Sequence, residues 1–283
     1  MNAPASASPV GALAIVEAVK LYDQGEAKIL AVDRCSLDIP AGEICMIVGP
    51  SGCGKTSLLN AIAGFHGLDG GSIHLDGHML CGPGRPQANI GPDRIVVFQN
   101  GALFPWKTNI ENVAFGPIVQ KRLTRKAARE KARLLMAEAG LAGHEDEYPG
   151  EISSGLRRRV EIVRALMNDP AVLLLDEPYR ALDALTKSVM HEALLETYYR
   201  TGTTIFFITH DLEEAIFLGH RVVVMTARPC RPKCIFDIDI PHPRDYGVLT
   251  SARFRRLAAE ISAQLEEEAL KSFARGEKEG GVQ

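Results

Sequence analysis

I-C-M-I-V-G-P-S-G-C-G-K-T-S, residues 44–57, is the stretch around which the rest of the chain is organised. Ile44 to Val48 is a short apolar run, the pattern of a buried parallel strand. Gly49, Gly54, Lys55 and Thr56 then fall at the spacing G-x-x-x-x-G-K-[ST]. From Ser57 the apolar positions recur three and four apart, which predicts a helix. Strand, glycine loop and helix together make a phosphate site. The glycines let successive backbone N–H groups turn inward as a nest for anionic oxygens. The helix N-terminus adds its positive end. The loop Gly49, Ser51, Gly52, Cys53, Gly54, Lys55, Thr56 and Ser57 is therefore the candidate cradle for a nucleoside triphosphate. Lys55 reaches the terminal phosphates, and the Thr56 hydroxyl is a candidate ligand for Mg²⁺.

Working outward, a second stretch completes the chemistry. Ala171 to Leu175 is another buried strand, and Asp176 and Glu177 sit at its C-terminal end, where open parallel sheets hold their ligands. Two adjacent carboxylates repel each other unless a cation is near. Asp176 fits a partner for Mg²⁺, and Glu177 fits a group that orients the attacking water. Further buried strands are expected at Arg94 to Gln99, Thr203 to Thr209 ahead of His210, and Arg221 to Met225. Upstream, Gly11 to Val19, Lys28 to Val32 and Cys35 to Ile39 read as short strands, with a turn over 20–26. Such clustered strands predict an antiparallel sheet beside the phosphate site, with Tyr22 placed to stack on a base. Ser72 to Leu75 reads as one more strand, and 81–92 as a surface loop.

Thr124 to Gly140 is charged and helical, and Arg157 to Met167 forms a second helix opened by Ser153, Ser154 and Gly155. The arginines at 157–159 read as a solvated or ion-paired helix face rather than a nucleic-acid patch. The segment from Leu103 to Thr108, with the chain's single tryptophan, places an apolar cluster on a loop and marks a contact surface. Beyond Pro229, prolines interrupt the pattern, and Phe254, Leu257, Ile261, Leu265 and Ala269 then trace one helical stripe. Residues 1–10 read as a disordered leader, and those from Gly276 onward as a disordered end.

Composition narrows the class. Of 283 residues, 46% are hydrophobic and 24% charged, which is globular usage, and the net charge of −3 gives no footprint for nucleic acid. No apolar run approaches the roughly 18 residues of a membrane span. Six scattered cysteines suggest reduced thiols in a cytosolic protein, and the Cys230–Cys234 spacing is not that of a zinc knuckle.

The order of motifs resembles the ATP-binding subunit of ABC transporters, from about Gly11 to Arg228. The resemblance is carried by G-P-S-G-C-G-K-T at 49–56, V-F-Q at 97–99, I-S-S-G-L at 152–156, L-L-L-D-E-P at 173–178, A-L-D at 181–183 and I-T-H-D at 208–211. It implies an α/β fold: a P-loop NTPase core with a mainly parallel sheet, an N-terminal antiparallel β subdomain and an inserted helical subdomain at about 100–157. The ATPase domain would span 11–240, followed by a tail, 241–283, with one helix. By the same resemblance the cofactors are ATP and Mg²⁺. Tyr22 stacks on adenine; Lys55 and the loop amides hold the phosphates; Thr56, Gln99 and Asp176 bind or sense Mg²⁺; Glu177 acts on water; His210 contacts the γ-phosphate. Two ATPase subunits would sandwich two ATPs. Ser153 to Gly155 of one would face the phosphate loop of the other, and Asp183 would bridge between them. Closure and reopening would drive transmembrane permease subunits at the cytoplasmic face of the inner membrane, with no nucleic acid partner.

The segments F-Q-N-G-A-L-F-P-W at 98–106, N-V-A-F-G at 112–116, Y-P-G-E at 148–151, R-V-E-I-V-R-A-L at 159–166 and V-V-V-M-T-A-R-P at 222–229 are similar to the nitrate, sulfonate and taurine importer branch. That implies an indirect partner, a solute-binding protein, and a groove over 99–116 for a permease helix, walled by Phe104 and Trp106. An ABC protein of lipid or export systems, a weakly hydrolysing regulatory subunit and a repair or translation ATPase remain alternatives. The family's usual signature is L-S-G-G-Q or L-S-G-G-M. Here Ser154 replaces the first glycine, and Leu156 the Gln or Met. The Ser154 side chain is expected to crowd phosphate or to be forced into a φ that L-residues disfavour, lowering turnover.

Overall fold

The computed structural model describes residues 10–25, 27–84, 90–180 and 182–274; the expected leader and the end from Gly276 lie outside them, apart from Val10. In chain order the elements are β1 (Leu13–Gln24), β2 (Ala27–Ile39), β3 (Ile44–Val48), α1 (Lys55–Ala63), β4 (Gly70–Leu75), β5 (His78–Cys81), β6 (Arg94–Val97), α2 (Asn109–Val119) and α3 (Arg125–Glu138). There follow α4 (Ser154–Leu166), β7 (Val172–Asp176), α5 (Ala184–Thr201), β8 (Thr204–Ile208), α6 (Leu212–Leu218), β9 (Arg221–Met225), β10 (Pro232–Asp237) and α7 (Ala252–Ala274). They fall into two compact units, 1–90 with 201–283, and 91–200.

The first unit holds two sheets. Its parallel layer places β3 between β8 and β9, with Ile47 opposite Ile208 and Val223. All five residues of β3 and of β8 are buried, so hydrophobic burial on both faces holds this layer. The antiparallel sheet runs β2-β1-β4-β5.

Several elements differ from expectation. The turn over 20–26 is replaced by a continuation of β1 to Gln24, paired with Ala27. The two strands at 28–39 are one, because Arg34 at φ 42, like Glu17 at φ 48, sits beside a register shift and carries the strand through a bulge. Cys81 ends β5, inside the expected loop. Pro232 opens β10, an edge strand antiparallel to β9, where the missing N–H is tolerated.

On α7, Phe254, Leu257 and Ile261 are buried as the stripe requires, but Ala269 is exposed and Glu268 is buried instead.

The second unit pairs β6 and β7 in parallel, with Val97 opposite Leu175. Its helical core packs Ile110 and Val113 of α2, Ala128 and Met136 of α3, and Val160 and Val163 of α4. Thr124 caps α3 by accepting from the Ala127 N–H at 3.3 Å, and Gly140 just beyond the helix takes φ 67. Helices α2 and α5 are absent from the periodicity reading. Pro117 lies inside α2, and α5 buries His191 among Met190, Leu194 and Leu195, so neither shows a clean stripe.

Candidate functional site

In the first unit β3 delivers the chain to the phosphate loop. Gly54 stands at φ 121, and a Cβ there would lie 2.3 Å from the Ala31 carbonyl oxygen and 2.8 Å from Cys230 Cβ, so only glycine fits. Lys55 opens α1 and is 6% exposed. Its ammonium donates to the carbonyls of Gly49 and Pro50, each at 2.8 Å, and is thereby held inside the loop. Ser51 and Thr56 are exposed, Ser57 is half-buried and Cys53 is buried. The Cys53 thiol is pulled below its ordinary range by its hydrogen bond with Cys230, against burial and with help from Lys55.

Parallel pairing brings His210 to the same edge. The Thr209 N–H donates to the Ile47 carbonyl at 3.1 Å, so β8 ends level with β3. His210 follows, exposed, just ahead of Asp211, which caps α6 by accepting from the Glu214 N–H at 3.2 Å. Tyr22 lies on β1, not in a turn. Its ring meets His66 edge-on at 5.9 Å, and the Lys20 ammonium stands 5.4 Å from its centroid.

In the second unit, the register of β6 and β7 brings Gln99 to the same edge as Asp176 and Glu177. Asp176 is 7% exposed at the strand end. Glu177 takes φ 44, a left-handed conformation that a non-glycine residue adopts at a cost of about 1–3 kcal/mol. Its carboxylate pairs with Arg180 at 3.2 Å. The segment after β6 is held from α4, which the sequence reading did not anticipate. Arg158 donates to the Phe98 and Gln99 carbonyls, both at 2.7 Å, and pairs with Glu161. Glu161 in turn accepts from the Ala102 N–H at 2.8 Å. Of the arginine run, Arg158 is ion-paired and also holds the Gln99 carbonyl, while Arg157 and Arg159 donate to the Pro149 and Ala139 carbonyls.

The signature segment begins α4 earlier than expected. Ser153 is the cap, accepting from the Leu156 N–H at 3.2 Å, so Ser154 and Gly155 are already helical. Ser154 is exposed and is not among the residues with positive φ. The expected backbone strain is therefore wrong: a helical first turn accepts serine. Gly155 is buried against α5, and a Cβ there would lie 2.7 Å from Thr186 Cγ2. Asp183 fixes that threonine, accepting from its N–H at 3.0 Å and its hydroxyl at 2.7 Å. Residue 181 of the A-L-D motif lies outside the described residues.

Nearby in this unit Phe104 packs on Phe115 at 4.9 Å and Trp106 at 5.5 Å, under the Arg164 guanidinium. Trp106 is 70% exposed. Buried Asn112 ties the loop down, accepting from the Phe104 N–H at 2.8 Å and donating to the Lys107 and Thr108 carbonyls.

The glycine cradle, with a buried ammonium aimed into it, fits a polyphosphate. In the second unit a carboxamide and a buried carboxylate at one edge, Gln99 and Asp176, are hard oxygen donors that fit Mg²⁺. A glycine loop between a buried parallel strand and a helix, ending in a buried lysine, defines a P-loop nucleotide-binding protein.

Comparison with known proteins specifies the class. Residues 32–180 match the family described as ABC transporter, and this chain belongs to that family. It is 43% identical to the taurine import ATP-binding protein of Rhizobium johnstonii over 240 residues, 83% of this chain and 88% of that one. It is 36% identical to the aliphatic sulfonates import ATP-binding protein of Bacillus cereus, over 87% and 93% of the two chains. The fold is similar to a dimeric, post-hydrolysis ATP-binding cassette bound to ADP and Pi. The TM-score is 0.71 at 28% identity, over 81% of this chain and all of that one. No described helix is long and apolar enough to cross a membrane.

Proposed function

We propose that this chain is the ATP-hydrolysing subunit of an importer for a small sulfonate-type anion such as taurine. Hydrolysis is carried by the carboxylate pair at the end of β7, one buried and the next held in left-handed backbone. The solute class is supported by the relatives named for taurine and aliphatic sulfonates. Nitrate, expected beside them from the sequence, shares the negative charge.

In this reading Lys55 exchanges its present partners, the Gly49 and Pro50 carbonyls, for the β- and γ-phosphates of ATP, which the loop amides also hold. Tyr22 carries the adenine. Thr56, Gln99 and Asp176 hold Mg²⁺, which when bound neutralises charge on the phosphates. Glu177 accepts the proton of the attacking water, and His210 donates a hydrogen bond to the γ-phosphate. Positioning and charge stabilisation do most of the work. A second ATPase copy supplies Ser153 and Gly155 over the phosphate loop, and Asp183 lies at the junction. The exposed Trp106 and the half-buried Phe104 receive a helix of the permease, on the cytoplasmic face of the membrane, while a solute-binding protein delivers the anion from the other side.

The test is uptake of labelled taurine by the chain reconstituted with its permease, alongside ATPase rates. Glu177→Gln should lower hydrolysis by about 100-fold or more, the usual loss of a general base, while MgATP still binds. Equal rates in wild type and variant would remove the hydrolytic reading. Full hydrolysis with no uptake of any sulfonate would remove the solute class.

A further inference from the structure

Arg228 lies between β9 and β10, and its guanidinium reaches the phosphate loop. Nε donates at 3.2 Å and Nη2 at 2.9 Å to the carbonyl of Gly52. Gly52 is the third residue of a turn, at φ 71, that closes when the Cys53 N–H donates to the Pro50 carbonyl at 3.4 Å. In a trans peptide the Gly52 C=O and the Cys53 N–H point in opposite directions. Fixing the Gly52 carbonyl therefore also fixes the direction of the Cys53 amide.

The segment that carries Arg228 is itself tied down. The Thr226 hydroxyl donates to the Pro229 carbonyl at 2.7 Å, and the Cys230 N–H donates to the Ala31 carbonyl at 2.9 Å. The third tie comes from α7. The Ala227 N–H donates at 2.8 Å to the carboxylate of Glu268, which is 2% exposed. The other Glu268 oxygen accepts from Lys271 at 2.7 Å and pairs with Lys233 at 3.2 Å. Burial pushes this carboxyl up, but the hydrogen bonds from Lys271, Ala227 and Lys233 outweigh it and keep it below the usual range. A helix that only packed would continue its apolar stripe here, because burying a charge costs desolvation that a hydrophobic residue avoids. The carboxylate stands where the stripe is broken and faces the residue before Arg228.

We infer that Arg228 is a positioning residue for the phosphate loop, and that Glu268 sets Arg228 in place, so the C-terminal helix contributes to nucleotide affinity. This rests on the reading that loop 49–57 holds the phosphates. Arg228 touches no reacting atom; it acts through Gly52.

Calorimetric titration of the full chain with MgATP, and KM and kcat of the assembled complex, test the inference. Arg228→Ala should weaken binding and raise KM about tenfold, the effect of a lost hydrogen bond to a charged group, with kcat within about twofold. Arg228→Lys should recover part of the affinity, because one ammonium reaches the carbonyl without the two-pronged grip. Glu268→Ala should weaken binding several-fold. Glu268→Gln, which keeps an acceptor for Ala227, should do less, and it serves in place of the alanine variant if that one fails to fold. Lys55→Ala is the control. Binding that survives Lys55→Ala overturns the loop reading itself. Binding lost in Lys55→Ala but unchanged in Arg228→Ala overturns this inference alone, as does a fall in kcat with KM unmoved.

Discussion

Gly155→Ala sets two effects of known size against each other. In a helix, alanine is favoured over glycine by about 0.5–1 kcal/mol, and somewhat less in a first turn. The new methyl group, however, would stand 2.7 Å from Thr186 Cγ2, well inside the roughly 3.5–4.0 Å of carbon–carbon contact. Thr186 cannot turn its methyl group away without breaking the hydrogen bond from its hydroxyl to Asp183. Overpacking of this kind costs about 1–3 kcal/mol, so against a gain of about 0.5 kcal/mol it wins, and the net loss is about 0.5–2.5 kcal/mol. At about 2–4 °C per kcal/mol for a chain approaching this size, the melting temperature should fall by roughly 1–10 °C. Thr186→Ser removes the clashing Cγ2 and keeps the hydroxyl on Asp183, so the double variant should melt close to wild type. On the proposal that Gly155 meets phosphate in the assembled pair, the ATPase of the double variant should stay low even with the clash relieved. Scanning calorimetry and ATPase assays of the four proteins separate the two roles. A Gly155→Ala chain as stable as wild type would falsify the packing argument. A double variant that regains hydrolysis would confine Gly155 to local packing and end its part in the signature.

Two further expectations follow from the same coordinates. The His242 ring lies tilted against His220 at 4.5 Å, and burial, Arg244 and His220 hold it down to about 4, so it is neutral in the fold. Its contribution to stability is complete above an unfolded value of about 6.5 and is lost as pH falls toward about 4. Urea titrations across that window should show the decline, and His242→Phe should flatten it; an equal decline in both would count against the pair. Ser154→Gly should raise the ATPase rate of the assembled complex while slightly lowering thermal stability, since glycine is the poorer helix former. An unchanged rate would show that the exposed Ser154 hydroxyl crowds nothing on closure.

The parts of the fold that were legible in the sequence share one cause. β3, β7 and β8 are buried on both faces, so each is an uninterrupted apolar run with its functional residue at the end. The loop between β3 and α1 was legible because its spacing follows from local geometry: a glycine where a Cβ would strike Ala31 and Cys230, and a lysine one residue on. The antiparallel sheet was less legible. Glu17 and Arg34 look like breaks in a one-dimensional pattern, and only pairing across β1 and β2 makes them bulges in continuous strands. The same holds at Pro232, which ends a central strand but suits an edge.

What stayed hidden is the set of polar contacts made at long range in sequence. Arg158 reads as one charge in a basic run until α4 folds against the segment after β6 and places it on the Gln99 carbonyl. Glu268 defeats periodicity more directly. A stripe through Phe254, Leu257 and Ile261 extrapolates to Leu265 and Ala269, and hydrophobicity alone offers no reason to prefer a carboxylate. The reason lies 41 residues away, in the N–H of Ala227. A charge is tolerated at a buried position only when its partners are already fixed there, and both Lys233 and the Ala227 N–H belong to the stretch that also carries Arg228. The break in the stripe is thus explained by what it holds: a short, over-determined segment whose exposed end grips the phosphate loop.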